Sequence, residues 1–129
     1  MKLIRFLTIS TFLLVLMSCD PTHDLKLENQ TGNSIEVLYS QNSEVAYFGK
    51  NKTEIVKIHG QELNKIKLDS AETLKIGTVI ASYVPRTEDI YVDYLEIHCG
   101  SDTIKLTGKH AILSTIQKVK RLDWRLIIK

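Results

Sequence analysis

From Leu25 onward, apolar residues recur at every second position in short runs parted by turn signals. That period of two constrains the fold more than any other feature, because it gives each extended run one apolar face and one polar face. Leu25 and Leu27 alternate with Lys26 and Glu28, and Ile35, Val37 and Tyr39 alternate with Glu36 and Ser40. Thr31-Gly32-Asn33 lies between these runs, so the spacing predicts a hairpin. From Ile90 to Cys99 the alternation predicts one long strand. Tyr91, Asp93, Leu95, Ile97 and Cys99 would share one face, and Ile90, Val92, Tyr94, Glu96 and His98 the other. Gly100-Ser101 turns the chain, and Asp102 to Leu106 is expected to pair back with Ile104 and Leu106 inward.

Val45–Phe48, Ile55–Ile58, Leu63–Leu68, Thr73–Ile76, Thr78–Val84 and Trp124–Ile128 read as further strands. The period changes once. Ile112, Ile116 and Val119 fall at helical spacing with Leu113 beside them, which predicts a helix within Gly108–Arg121 and Thr107 as its N-cap. The β-branched residues of that stretch fit a strand as well. About seven to nine short strands at close spacing predict a single, mainly all-β domain, an antiparallel β-sandwich or a barrel, with one short helix near residues 108–121.

The N-terminal residues are of a different kind. Met1-Lys2-Leu3-Ile4-Arg5 is basic, Phe6 to Met17 is apolar apart from Thr8, Ser10 and Thr11, and Leu16-Met17-Ser18-Cys19 ends the run. A charged start, an apolar stretch and a small residue before the cut describe a secretory signal. The stretch is shorter than the roughly 20 residues that a bilayer span needs. Leu16-Met17-Ser18-Cys19 resembles the lipobox of bacterial lipoproteins, with an aliphatic residue at Leu16 and a small one at Ser18. The resemblance implies cleavage between Ser18 and Cys19, a diacylglycerol on the Cys19 sulfur and an acylated amino terminus. At about 0.8 kcal/mol per buried CH₂, two or three acyl chains would hold the domain at a membrane. Asp20 resembles an inner-membrane retention signal of enteric bacteria, and equally the acidic residues that accompany outer-membrane and surface export in Bacteroidetes-type bacteria. Residues 1–18 are then expected to be removed, 19–24 to form the lipidated cysteine and a short tether, and 25–129 to form the domain.

The sequence has 17 Lys and Arg against 15 Asp and Glu, and two of the basic residues, Lys2 and Arg5, lie in the leader. The remaining 15 basic residues balance the 15 acidic ones. Such balance excludes the electrostatic field on which nucleic-acid binding depends. With Cys19 acylated, Cys99 has no partner for a disulfide, so the domain must be held by its core.

Candidate chemistry is sparse. Neighbours on a strand point to opposite faces, so His98 cannot serve Cys99 as a base, and Cys99 is expected to pack inward with Leu95 and Ile97. Glu88, Asp89, Asp93 and Glu96 lack the loop spacing of a calcium site and read as solvated strand edges. His23, His59, His98 and His110 have no metal-ligand spacing, and neither a phosphate-cradling glycine loop nor a nucleophile elbow is present. No catalytic residue, metal ligand or cofactor is therefore assigned. Lys105, Lys109, Lys118, Lys120, Arg121, Arg125 and Lys129 crowd the late chain; they suit lipid headgroups or an anionic glycan, or simply the polar faces of the last elements. Of Tyr83, Tyr91, Tyr94 and Trp124, Trp124 is expected in the core and Tyr94 on the surface. Tyr94, Lys118 and Arg121 form the candidate binding surface.

Leu27-Glu28-Asn29-Gln30-Thr31-Gly32, Leu68-Asp69-Ser70-Ala71-Glu72-Thr73 and Tyr94-Leu95-Glu96-Ile97, taken with the lipobox, resemble pieces of small lipoproteins of Bacteroidetes-type bacteria. That resemblance implies an immunoglobulin-like β-sandwich and carries no functional residues. The expectation is a lipid-anchored cell-envelope binding or accessory protein without catalytic activity. It would be exported to a bacterial membrane, the outer membrane on this resemblance, with the periplasmic or surface face left open. Its partner would be a protein or a glycan, and no nucleic acid. A structural subunit of an envelope assembly and a small carboxylate-based envelope hydrolase are the alternatives. An exposed apolar patch would favour the binding module, a long unpaired edge strand the structural subunit, and paired carboxylates with shifted pKa in a cleft the hydrolase.

Overall fold

The alternating runs become strands that pair into two sheets. In the computed structural model, which describes residues 21–80 and 83–129, ten strands follow one another. They are β1 (Thr22–Asn29), β2 (Ile35–Ser40), β3 (Ala46–Tyr47), β4 (Glu54–Ile58), β5 (Gln61–Leu68), β6 (Thr73–Ile80), β7 (Tyr94–Cys99), β8 (Asp102–Thr107), β9 (Gln117–Lys120) and β10 (Asp123–Ile128). One sheet has the order β3-β6-β1-β10-β9 and the other β4-β5-β2-β7-β8. The fold is an all-β sandwich, antiparallel throughout the described pairings except that β1 runs parallel to β10. Ser18, Cys19 and the expected leader lie outside the described residues.

The core is what the alternation implies. Leu25, Leu27, Leu74, Leu126 and Ile128 of the first sheet are buried in one cluster with Ile35, Val37, Ile66, Leu68, Leu95 and Ile97 of the second. Each such side chain contributes about 1.5–3 kcal/mol by leaving water. One short helix, α1 (Lys109–Thr115), joins edge strand β8 to edge strand β9 and buries Ile112.

Several details depart from the sequence reading. The expected strand Ile90–Cys99 is two pieces. Ile90 bridges Gly77 of β6 in the first sheet, the Tyr91 N–H donates to the Ile76 carbonyl, and only Tyr94–Cys99 joins the second sheet. Ile90 and Val92 are buried, as are Leu95 and Ile97, so the parity of buried positions slips by one where the chain changes sheets. The helix ends at Thr115, and Gln117–Lys120 is strand β9, since Ile116 turns to an extended conformation. Its N-cap is Gly108, at φ 90°, and not Thr107; no side chain caps it. Thr73–Ile76 and Thr78–Val84 are not two strands but one, β6 (Thr73–Ile80), which passes through Gly77; of the expected continuation, residues 81 and 82 lie outside the described residues, and Tyr83 and Val84 are not in a strand. The expected tether is shorter, because Thr22, His23 and Asp24 already pair with Ile80, Val79 and Thr78. β8 pairs back on β7 as expected, yet Ile104, opposite Ile97 and expected inward, stays 40% exposed on this edge strand.

Strand direction gives the sandwich two distinct ends. β1 enters at Thr22 and leaves at Asn29. The entry end therefore also holds Ile80 at the close of β6 and the β9–β10 turn with Arg121 and Leu122. The far end holds the start of β6, the close of β10 and the β1–β2 and β7–β8 turns.

Candidate functional site

Tyr94, Glu96 and His98 occupy alternate positions of β7 and share the outward face of their sheet, opposite Leu95 and Ile97. The Tyr94 hydroxyl donates to Glu96 Oε2. His98 Nε2 lies 2.9 Å from Glu96 Oε1, and its Nδ1 lies 3.2 Å from the Thr103 hydroxyl on β8. Glu96 is only 8% exposed, so its carboxylate sits fixed among these partners. The Tyr94 hydrogen bond, with help from Lys105 and His98, holds the Glu96 carboxyl below the usual range in spite of its burial. The same hydrogen bond pushes the Tyr94 phenol up to about 12. At neutral pH the line therefore holds a protonated phenol and an ionised carboxylate, with the His98 ring in fixed register beside them. A carboxylate held ionised accepts hydrogen bonds; the general acid of a glycosidase needs a raised pKa instead.

The entry end presents different chemistry. Ile80, Tyr83 and Val84 are 51%, 62% and 66% exposed. Val84 is shared by two adjoining clefts. One, of about 280 Å³, is lined by Val79, Ile80, Tyr83, Arg86, Glu88 and Asp89. The other, of about 250 Å³, is apolar and lined by Pro85, Leu113, Ile116 and Trp124. A third depression, next to Thr22, is walled by Lys26, Lys120, Arg121, Asp123 and Arg125. There Arg125 donates twice to Asp123, at 2.9 and 3.0 Å, and once to Glu28 at 2.8 Å. The Arg125 hydrogen bond lowers the Asp123 carboxyl, and Asp123 first and Glu28 next raise the guanidinium.

The far end is a polar cork. Asn29 is fully buried at an inward position of β1, where the alternation calls for an apolar residue. Its amide nitrogen donates to the carbonyls of Asn33 and Leu68, at 2.6 and 3.0 Å, and its oxygen accepts from the Thr31 N–H and hydroxyl. Its backbone N–H donates to the Glu72 carbonyl, and its own carbonyl accepts from Ala71. Glu72 in turn accepts from the Tyr47 hydroxyl and the Asp69 N–H. Two of the segments singled out in the sequence, around Asn29 and around Asp69, thus meet as one hydrogen-bonded closure.

The structure does not gather Tyr94, Lys118 and Arg121 into one surface. Tyr94 lies on β7 of one sheet; Lys118 lies on edge strand β9 of the other, its ammonium 5.9 Å from the centroid of the Trp124 ring. Trp124 is only partly buried, packed against the core at the mouth of the apolar cleft. Cys99 packs against the core while His98 faces outward, as strand geometry requires. The acidic residues disperse: Asp89 accepts the Arg86 N–H, Glu88 lies beside the Arg86 guanidinium, and Glu96 belongs to the other sheet. Sequence reasoning missed the exposed Tyr83 and Val84 by reading them as strand. The signal was Pro85, which has no N–H to donate to a ladder. No protein-family model matches the chain, and neither a curated protein nor a solved structure matches it.

Proposed function

We propose that this chain is a lipid-anchored binding or accessory protein of the bacterial cell envelope, without catalytic activity, that takes a protein or glycan partner on the outer face of the β4–β8 sheet. The observation that carries this reading is the Tyr94–Glu96–His98 line. It presents the Tyr94 and His98 rings, held in place by the buried, ionised Glu96 between them, an arrangement suited to stacking on and hydrogen-bonding a partner rather than to moving protons. The lipobox resemblance of Leu16-Met17-Ser18-Cys19 supplies the anchor.

Two measurements test the two halves. Cys19→Ala is expected to move the protein from the membrane fraction to the soluble fraction; retention at the membrane would remove the anchor. Tyr94→Ala and Glu96→Ala are expected to weaken binding to immobilised envelope glycans or envelope proteins by roughly tenfold each, the equivalent of about 1.4 kcal/mol. Undiminished binding by both folded variants would remove this face from the reading.

A further inference from the structure

We infer that the entry end of the sandwich docks onto the bilayer that holds the anchor, with Ile80, Tyr83 and Val84 in the interface and Lys120 and Arg121 against anionic headgroups. The inference rests on the proposed lipid anchor at Cys19 and adds an orientation to it. Chain length carries the argument. The three residue steps from Cys19 to Thr22 reach at most roughly 10 Å. Thr22 is the first residue of β1, and its cross-strand partner is Ile80. An acylated Cys19 therefore places Ile80 next to the membrane surface whatever path the intervening residues take.

What lies around Ile80 suits that position. Tyr83 and Val84 follow it, both more than half exposed. Trp124 stands at the adjoining cleft with Val84 and Pro85. Aromatic rings with a polar tip, set among aliphatic residues, are the composition of a membrane–water interface. The charges agree. Asp24 is paired with Lys75, Asp123 with Arg125 and Glu88 with Arg86, and Asp89 accepts a backbone N–H. Lys120 and Arg121 make no ion pair among the described residues. They belong to the same depression as Thr22, on the turn beside it. At the far end Phe48, just past β3, is an exposed aromatic residue well removed from Ile80 along β6.

The test uses the full lipidated chain in vesicles of phosphatidylethanolamine and phosphatidylglycerol whose acyl chains are brominated. A Trp124→Phe background carries either Tyr83→Trp or Phe48→Trp as the single reporter. Both proteins are expected to float with the vesicles, with Tyr83→Trp fluorescence quenched and Phe48→Trp fluorescence unquenched. Lys120→Gln with Arg121→Gln is expected to shift the docked-to-undocked ratio by about 25-fold, at about 1 kcal/mol per basic residue, and high salt should do the same. Native Trp124 is a second reporter that needs no substitution, expected to be quenched in the unaltered chain and released by Tyr83→Ser with Val84→Ser. A chain that floats with both reporters unquenched, or with Phe48→Trp quenched as strongly as Tyr83→Trp, overturns the docking and leaves the anchor standing. A chain that does not float overturns the anchor and the docking together.

Discussion

At the far end of the sandwich Asn29 is fully buried and every polar atom of its amide has a partner, whereas at the entry end Ile80, Tyr83 and Val84 stand in solvent. Both ends close the same two-sheet core. The far end does so with short turns laced to one another: Ser34 and Asn51 donate to Asp69, Tyr47 donates to Glu72, and Ala71 takes a left-handed conformation to fit. The entry end does so with a longer crossing, held to β6 at Gly77 and to the loop after β2 by the Asn42 amide on the Tyr91 carbonyl. The first closure pairs the side chains of Asn29, Asp69 and Glu72 with its own turns. The second leaves apolar and basic groups exposed, as the inferred docking onto a bilayer requires.

Asn29 is the position where substitution should cost most. Asn29→Leu removes both amide donors and the acceptor, leaving the Leu68 and Asn33 carbonyls without this partner, and is expected to cost about 3 kcal/mol in urea unfolding. A loss under about 1 kcal/mol would mean that the cork is ornamental. Gly77→Ala comes next. A Cβ at Gly77 would collide with the backbone carbonyl of Asp89, so the crossing segment must shift, at about 1–3 kcal/mol. Hydrogen exchange should quicken at Ile90 and Tyr91 and not at the Asn29 turn; uniform quickening would show that the two ends are not separable.

Acid sharpens the contrast. Asp69 at the far end is lowered by hydrogen bonds from Ser34 and Asn51, and Asp123 at the entry end by Arg125. A folded pKa below the unfolded value of about 3.9 gives stability that is complete above that pH and lost as pH falls through the folded value. Stability should thus decline below about pH 4. Asp123→Asn should flatten part of that decline, while added salt should weaken the ion-paired Asp123 contribution more than the hydrogen-bonded Asp69 one. Cys99→Ser, at a half-buried site against the core, is expected to cost about 1 kcal/mol without altering partner binding. The smallest effect should be that of Tyr83→Ser with Val84→Ser, within about 0.5 kcal/mol in solution. A larger loss would place these side chains in the fold rather than on its surface.

Much of the sandwich could be read from alternation alone. Leu25, Leu27, Ile35, Val37, Leu95 and Ile97 all face inward at their expected parity, and both predicted hairpin turns, at Thr31–Asn33 and Gly100–Ser101, are turns. The first of them, however, links strands of different sheets, because β1 pairs with β6 and β10 while β2 pairs with β5 and β7. Alternation fixes a face and not a partner. The same blindness merged Ile90–Cys99 into one strand, although the parity slip between Val92 and Leu95 was visible in the letters. Asn29 at an inward position was the one legible mark of the cork; its partners come from residues 31, 33, 68, 71 and 72, which only folding brings together. Tyr94 was legible as an outward residue, but Glu96 and His98 gained meaning only from their hydrogen bonds.

The parallel pairing of β1 with β10 has a mechanical consequence. Leu25 lies beside Trp124 and Asn29 beside Ile128, so a pull that enters at Thr22 and leaves at Ile128 draws two neighbouring strands lengthwise past each other. Every rung between them is then loaded at once, in shear, instead of being peeled one at a time. A domain tethered at its first strand and tugged through its last would resist as a clasp rather than a zipper.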